Sequence, residues 1–177
     1  MHINAVSRDL KYLAVRKYGD SAAVYLVSAD GKRQKFLQTR GGWPSFSPDN
    51  QWIAFVGPDG MRISAVLDGA SQIVGPVSAD EPTWSPRGDE LYYRNADRWM
   101  VLSVSGSNGT LIVGTPRLLF SGPFLNVRAK SYDIGPDGRF LLLLGPPEQT
   151  IGQLDVVTDF FTELRRLSPV GTQKAGR

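Results

Sequence analysis

One phrase occurs four times in 177 residues, and that repetition limits the fold more than any other feature of the chain. The clearest copy is Pro44-Ser45-Phe46-Ser47-Pro48-Asp49-Asn50-Gln51-Trp52-Ile53-Ala54-Phe55. A second is Pro82-Thr83-Trp84-Ser85-Pro86-Arg87-Gly88-Asp89-Glu90-Leu91-Tyr92-Tyr93, and a third is Ser131-Tyr132-Asp133-Ile134-Gly135-Pro136-Asp137-Gly138-Arg139-Phe140-Leu141-Leu142. A weaker copy opens the chain, Ala5-Val6-Ser7-Arg8-Asp9-Leu10-Lys11-Tyr12-Leu13-Ala14. The marker positions Ser7, Ser47, Ser85 and Gly135 lie 40, 38 and 50 residues apart. Self-similarity at such a period is the signature of a repeat architecture in which each unit buries its apolar faces against its neighbours.

Each copy reads as a β-hairpin. A short strand ends in Phe46, Trp84 or Ile134, and Ser-Pro-Asp-Gly or a relative follows. Proline presets φ at the first central turn position, aspartate tolerates the second, and glycine relieves the exit. A second strand comes next, over residues 52–56, 90–94 and 139–144. Third strands are expected over 22–27, 61–67, 98–104 and 153–157. Outer strands are expected over 34–37, 71–74 and 117–120. Four antiparallel strands per repeat make a propeller blade. The third repeat is long because residues 105–116 are inserted, and their glycine, asparagine and proline content predicts a loop. The fold class expected is therefore all-β, a partial or small β-propeller of about four four-stranded blades over residues 3–40, 41–79, 80–124 and 125–157. A short helix over 158–167 follows, with Thr158 as its cap and Asp159 in its first turn. Residues 171–177 are expected to be a disordered tail.

Composition agrees. Glycine (19) and proline (12) suit many tight turns, and 41% hydrophobic with 21% charged residues is ordinary for a globular domain. Twenty basic against 17 acidic residues leave a net charge of +3, and the basic residues are scattered rather than gathered in a stripe. No nucleic-acid partner is expected. There is no cysteine, which excludes disulfides and thiolate metal sites. No run approaches the ~20 apolar residues of a membrane helix. The first residues carry neither the basic segment nor the apolar core of a secretory signal.

The Trp/Phe-Ser-Pro-Asp-Gly-x-x-Ile-Ala-Phe core resembles the WD40-like repeat of TolB-type β-propellers over nearly the whole chain. The ending Leu154-Asp155-Val156-Val157-Thr158-Asp159-Phe160-Phe161-Thr162-Glu163-Leu164 is similar to the terminus of bacterial propellers that follow a serine/threonine kinase or another signalling domain. The resemblance implies a regulatory or sensing propeller, with periplasmic or extracytoplasmic placement of the parent protein. The first copy departs from the pattern at Arg8 and Leu10, and the second at Arg87. The kinase half does not carry over, since no Gly-x-Gly-x-x-Gly, Asp-Phe-Gly or His-Arg-Asp occurs. Family members generally have six or more blades. Three expectations follow: a truncated end of a longer gene, a dimer closing an eight-bladed ring, or a strained four-bladed ring.

Catalysis is not expected. There is no Gly-x-Ser-x-Gly, and the sole histidine is His2. Paired carboxylates occur only as Asp80-Glu81 and Asp89-Glu90, and adjacent strand residues point to opposite faces. Asp49, Asp137 and Gly138 read as turn chemistry, because a calcium site needs several carboxylates in one loop. Trp43, Trp52, Trp84 and Trp99 read first as packing between blades. No catalytic residue, metal or cofactor is therefore assigned. Partner binding, to a protein or a small ligand at the channel face, is placed on Arg94, Asn95, Asp97, Arg98 and Trp99, with Arg40 and Trp43 at the preceding junction. Self-association through open blade edges is the other contact expected. The function expected is a non-catalytic interaction or sensing module within a larger signalling or envelope protein, with an accessory or gating propeller of a hydrolase or peptidase as the alternative.

Overall fold

The computed structural model describes residues 2–17, 23–67, 71–107, 110–125 and 130–143. The strand expected over 153–157, the helix over 158–167 and the tail lie outside the described residues.

The described chain is all β. The first sheet is β1 (His2–Val6), β2 (Tyr12–Lys17), β3 (Ala23–Ser28) and β4 (Gln34–Thr39), in that order. The second is β5 (Gly42–Phe46), β6 (Trp52–Gly57), β7 (Gly60–Ala65) and β8 (Gln72–Gly75). The third contains β9 (Ala79–Trp84), β10 (Glu90–Asn95) and β11 (Arg98–Ser107). Its β11 pairs with both β12 (Thr110–Val113) and β13 (Arg117–Ser121). Of the fourth, β14 (Tyr132–Ile134) and β15 (Phe140–Leu142) are described. Every pairing is antiparallel.

The repeated phrase builds one turn again and again. The Ser7, Ser47 and Ser85 hydroxyls are buried and accept from the backbone N–H five residues on, at 2.9, 2.9 and 3.2 Å. The same hydroxyls donate to Asp9, Asp49 and Asp89 at 2.8, 2.5 and 2.8 Å. The third residue after each serine takes the left-handed conformation: Leu10 (φ 60), Asn50 (φ 60) and Gly88 (φ 79). In the fourth copy Gly138 (φ 80) does so, and Gly135 replaces the serine. This is a type I turn closed by a left-handed residue, the usual way a short hairpin loop matches strand twist. Ser28, Asp30 and Gly31 repeat the device between β3 and β4.

Both faces of each inner sheet are covered, so apolar residues occur on consecutive strand positions. On β6, Ile53 and Phe55 pack with Ala14, Val24, Leu26, Leu37 and Val66 between the first and second blades. Trp52 and Ala54 point the other way and join Met61, Ile63, Trp84, Leu91, Tyr93 and Leu102 between the second and third. Each Val, Leu, Ile, Phe or Met among them contributes about 1.5–3 kcal/mol on burial. The Trp84 indole N–H also donates to the Ser45 carbonyl at 3.0 Å, tying the third blade to the second. Aromatic rings fill the third junction. Trp99 stacks on Phe120 (5.4 Å) and meets Phe124 and Tyr132 edge-on, while Tyr92 meets Phe140 at 5.0 Å.

The insertion at 105–116 differs from the loop expected. Strand β11 runs on to Ser107 and the chain returns as β12, so the segment is a hairpin. Leu111 and Val113 pack on the core around Trp52 while Ile112 faces outward. Gly106 makes the closure feasible, because a Cβ there would come within 2.9 Å of the Trp52 ring. Gly106 is thus tied to close packing.

The turns themselves touch. The Arg8 backbone N–H donates to the Asn50 side-chain oxygen at 2.7 Å. Leu10, by contrast, is exposed and holds a left-handed backbone with no such contact. Leu10→Gly is expected to stabilise the protein by ~1 kcal/mol, since glycine removes the Cβ penalty. Asn50→Gly is expected to gain nothing, because the lost bond is worth a similar ~1 kcal/mol. Urea unfolding of both variants checks the contrast.

Candidate functional site

The innermost strands depart from regular pairing at matching places. In β1 the register shifts between Ile3 and Ala5, in β5 between Gly42 and Ser45, and in β9 between the partners of Tyr92 and Arg94. Each shift inserts one extra residue, a β-bulge that re-aims the side chains beside it. In the second and third blades the cause is legible. Pro44 and Pro82 have no N–H to give the ladder. The residue before each proline, Trp43 (φ 53) and Glu81 (φ 50), takes the left-handed conformation. That is rare for bulky side chains and marks a place where the surroundings dictate the backbone.

A cavity of ≈ 580 Å³ opens between these strands. Ile3 to Val6 and Arg8 line it from the first blade, and Trp43 to Pro48 from the second. Glu81 and Pro82 come from the third blade, and Lys130 from the segment that enters β14. The inner strands of three repeats and the approach to the fourth therefore contribute.

Glu81 is the most unusual group there. It is only 1% exposed. Its Oε2 accepts from the Ser131 backbone N–H and hydroxyl, both at 2.7 Å, and its backbone carbonyl accepts from the Tyr132 hydroxyl at 2.7 Å. Burial pushes the Tyr132 phenol well above its ordinary range, so it remains a donor. These three bonds fasten the fourth blade to the third. Oε1 is buried with no partner among the described residues. Lys130 pairs with Asp133 at 3.0 Å.

Of the residues singled out from sequence, Trp43 lines the cavity. Arg94 and Trp99 face each other across β10 and β11, so they share one face, and that face is the junction with the fourth blade. Arg94 is 4% exposed. Its guanidinium donates to the Ala96, Leu125 and Phe124 carbonyls and the Ser131 hydroxyl, and lies 5.1 Å over the Trp99 ring. Trp99 is fully buried. Asp97 and Arg98 are exposed at the hairpin tip beside half-buried Asn95, and Arg40 is exposed between the first two blades. The contiguous cluster is therefore split: Arg94 and Trp99 hold blades together, while Asn95, Asp97 and Arg98 form the tip. The prominence of Glu81 was missed because Asp80-Glu81 reads as a pair on opposite faces, whereas the bulge breaks that alternation. The shared signal is the x-Pro step three residues before Ser47 and Ser85.

Asp80 connects Trp43 to this network. It is the register partner of Arg94, and Trp43 is among the groups that act on its carboxyl. Burial holds that carboxyl above its ordinary value, and the Glu81 charge adds to the shift. The Glu81 N–H, Arg94 and Trp43 oppose it.

Antiparallel blades set with their inner strands around one cavity define a β-propeller. The fold is TolB-like. A TolB-type protein of Agrobacterium tumefaciens superposes with a TM-score of 0.55 at 15% identity, over 75% of this chain and 50% of its own. TolB of Acinetobacter baumannii gives 0.50 at 15% identity, over 80% and 37%. A Bacteroides fragilis protein assigned as a 6-phosphogluconolactonase gives 0.53 at 20% identity, over 81% and 48%. At such identities the likeness is one of fold, and the chain spans half or less of the length of these structures. No protein family and no curated protein matches the sequence.

Two outcomes follow from the geometry. Arg94→Ala is expected to cost about 3 kcal/mol, because it strands several buried acceptors, whereas Arg98→Ala stays within ~0.5 kcal/mol. Chemical denaturation distinguishes them. For Asp80, a raised value means the fold binds this proton more tightly than the unfolded chain does. Its contribution is full below the unfolded value and is lost as pH rises through the folded one. Asp80→Asn keeps the acceptor without the charge. It is expected to melt above the native protein near neutral pH, with the gap closing below about pH 4. Melting curves across that range check the sign.

Proposed function

We propose that this chain is a non-catalytic recognition module that binds a protein segment or a small ligand in the cavity between its inner strands. It serves a larger signalling or envelope protein. The observation carrying the reading is the cavity itself, walled by the inner strands of three repeats and the approach to the fourth, and bearing Trp43 and Glu81 at matching bulges. Binding sites are concave, largely apolar and furnished with a few placed polar groups. Trp43, Pro44, Phe46, Pro48 and Pro82 supply the apolar wall, and Arg8 and Lys130 the polar groups. The hairpin tip with Arg98 is a secondary contact in this reading.

A hydrolytic reading has one specific support, the likeness in fold to a protein assigned as a lactonase. It asks Glu81 to serve as an acid or base. Glu81 is instead engaged by Ser131, and we favour recognition over turnover.

A photo-crosslinking side chain at Trp43, compared with one at Leu118 on the outer strand β13, tests the proposal in the producing cell. A discrete adduct from Trp43 and none from Leu118 is expected. Adducts from Leu118 alone would overturn it. So would hydrolysis of a sugar lactone that is lost on Glu81→Gln.

A further inference from the structure

We propose that a groove at the rim of the first two blades, distinct from the inner-strand cavity, docks an acidic peptide segment bearing apolar side chains. None of the residues lining this groove lines that cavity.

Leu10 supplies the first reason. It closes its turn in the left-handed conformation (φ 60), where the other copies place Asn50, Gly88 and Gly138. That backbone is uncommon for leucine, and strain of this kind collects at functional positions. Asn50 has a use within the fold, since its side-chain oxygen accepts from the Arg8 N–H. Leu10 stands 70% exposed, so the strained residue presents its apolar side chain to solvent.

The second reason is what lies beside it. Leu10 lines a hollow of ≈ 400 Å³ together with Lys11, Tyr12 and Arg33. A second hollow of ≈ 520 Å³ shares Tyr12, Ser28 and Arg33 with the first and adds Leu26, Val66 and Leu67. The two form one groove. Leu26 and Val66 are buried and Tyr12 half-buried, while Leu67 is 61% exposed like Leu10. Exposed apolar residues gathered around an apolar floor mark an interaction surface.

Charge selects the occupant. The two turns that border the first hollow carry Lys11, Lys32 and Arg33 against Asp9 and Asp30. Lys11 and Lys32 meet those aspartates at 3.5 and 3.9 Å in exposed pairs, which contribute little and exchange readily. Arg33 is exposed and lines both hollows, and among the described residues no ion pair holds its guanidinium. A guanidinium fork is matched to a carboxylate. Nucleic acid would call for a continuous basic stripe, and an anionic membrane for a larger basic cluster, whereas here aspartates interrupt the bases. Carboxylates alternating with apolar side chains fit both the rim and the floor.

The test titrates the whole chain with a blocked peptide, Glu-Leu-Glu-Glu-Leu-Glu, and follows binding by calorimetry and NMR. The Leu26 and Val66 methyl signals are expected to shift, and the Trp43 indole signal to stay in place. Replacing the peptide's glutamates by glutamine, or its leucines by alanine, should weaken binding by about tenfold each. Arg33→Glu should abolish it. Leu10→Gly is the sharpest variant, because it is expected to raise stability while weakening the peptide by about fivefold. Should Leu10→Gly melt below the parent chain, Leu67→Ala in the adjoining hollow decides instead, with the same loss expected. Equal binding of the glutamine peptide overturns the proposal, as does unchanged binding by both leucine variants. So does a peptide that moves Trp43 alone, or no peptide binding at all, whether or not phosphatidylserine vesicles bind.

Discussion

Each blade depends on being covered on both faces. A four-stranded sheet of this size cannot bury enough apolar surface alone, and β6 shows how the repeat resolves the shortage. Ile53 and Phe55 enter one junction while Trp52 and Ala54 enter the next. Stability is then shared through nearest-neighbour contacts, as in repeat proteins generally. The polar ties lie along the same seams. The Trp84 indole bonds to Ser45, the Arg8 amide to Asn50, and Lys35 reaches the Ala65 carbonyl.

At the inner edge the same logic meets its limit. The strands converge there, and a bulge carrying proline relaxes the pairing. The two left-handed residues so produced are a tryptophan and a glutamate. The glutamate reaches 50 residues along the chain to Ser131. That carboxylate is a fastener between the third and fourth blades.

Much of the fold was legible because its signals are local. Ser-Pro-Asp at a near-constant spacing specifies a turn, and the flanking apolar residues specify strands. The same turn closes with Leu10, Asn50, Gly88 or Gly138, which is why even the weak first copy forms it. The insertion was misread because glycine and asparagine mark a loop and a hairpin alike. Only the contact of Gly106 with Trp52 distinguishes them. The proposed binding cluster is split for a related reason. Arg94 to Trp99 are neighbours in sequence, but strand alternation turns Arg94 and Trp99 inward and leaves Asp97 and Arg98 outside.

By itself, then, the sequence determined that the chain makes β-blades, how many repeats it holds and how each hairpin turns, since these follow from spacing and turn chemistry within a dozen residues. Tertiary structure alone decided which neighbouring blade each hairpin face packs against and that Glu81 meets Ser131. It also decided that the inner edges enclose a cavity. Those outcomes depend on how successive sheets stack, and no local pattern encodes the distance between residues that different blades bring together.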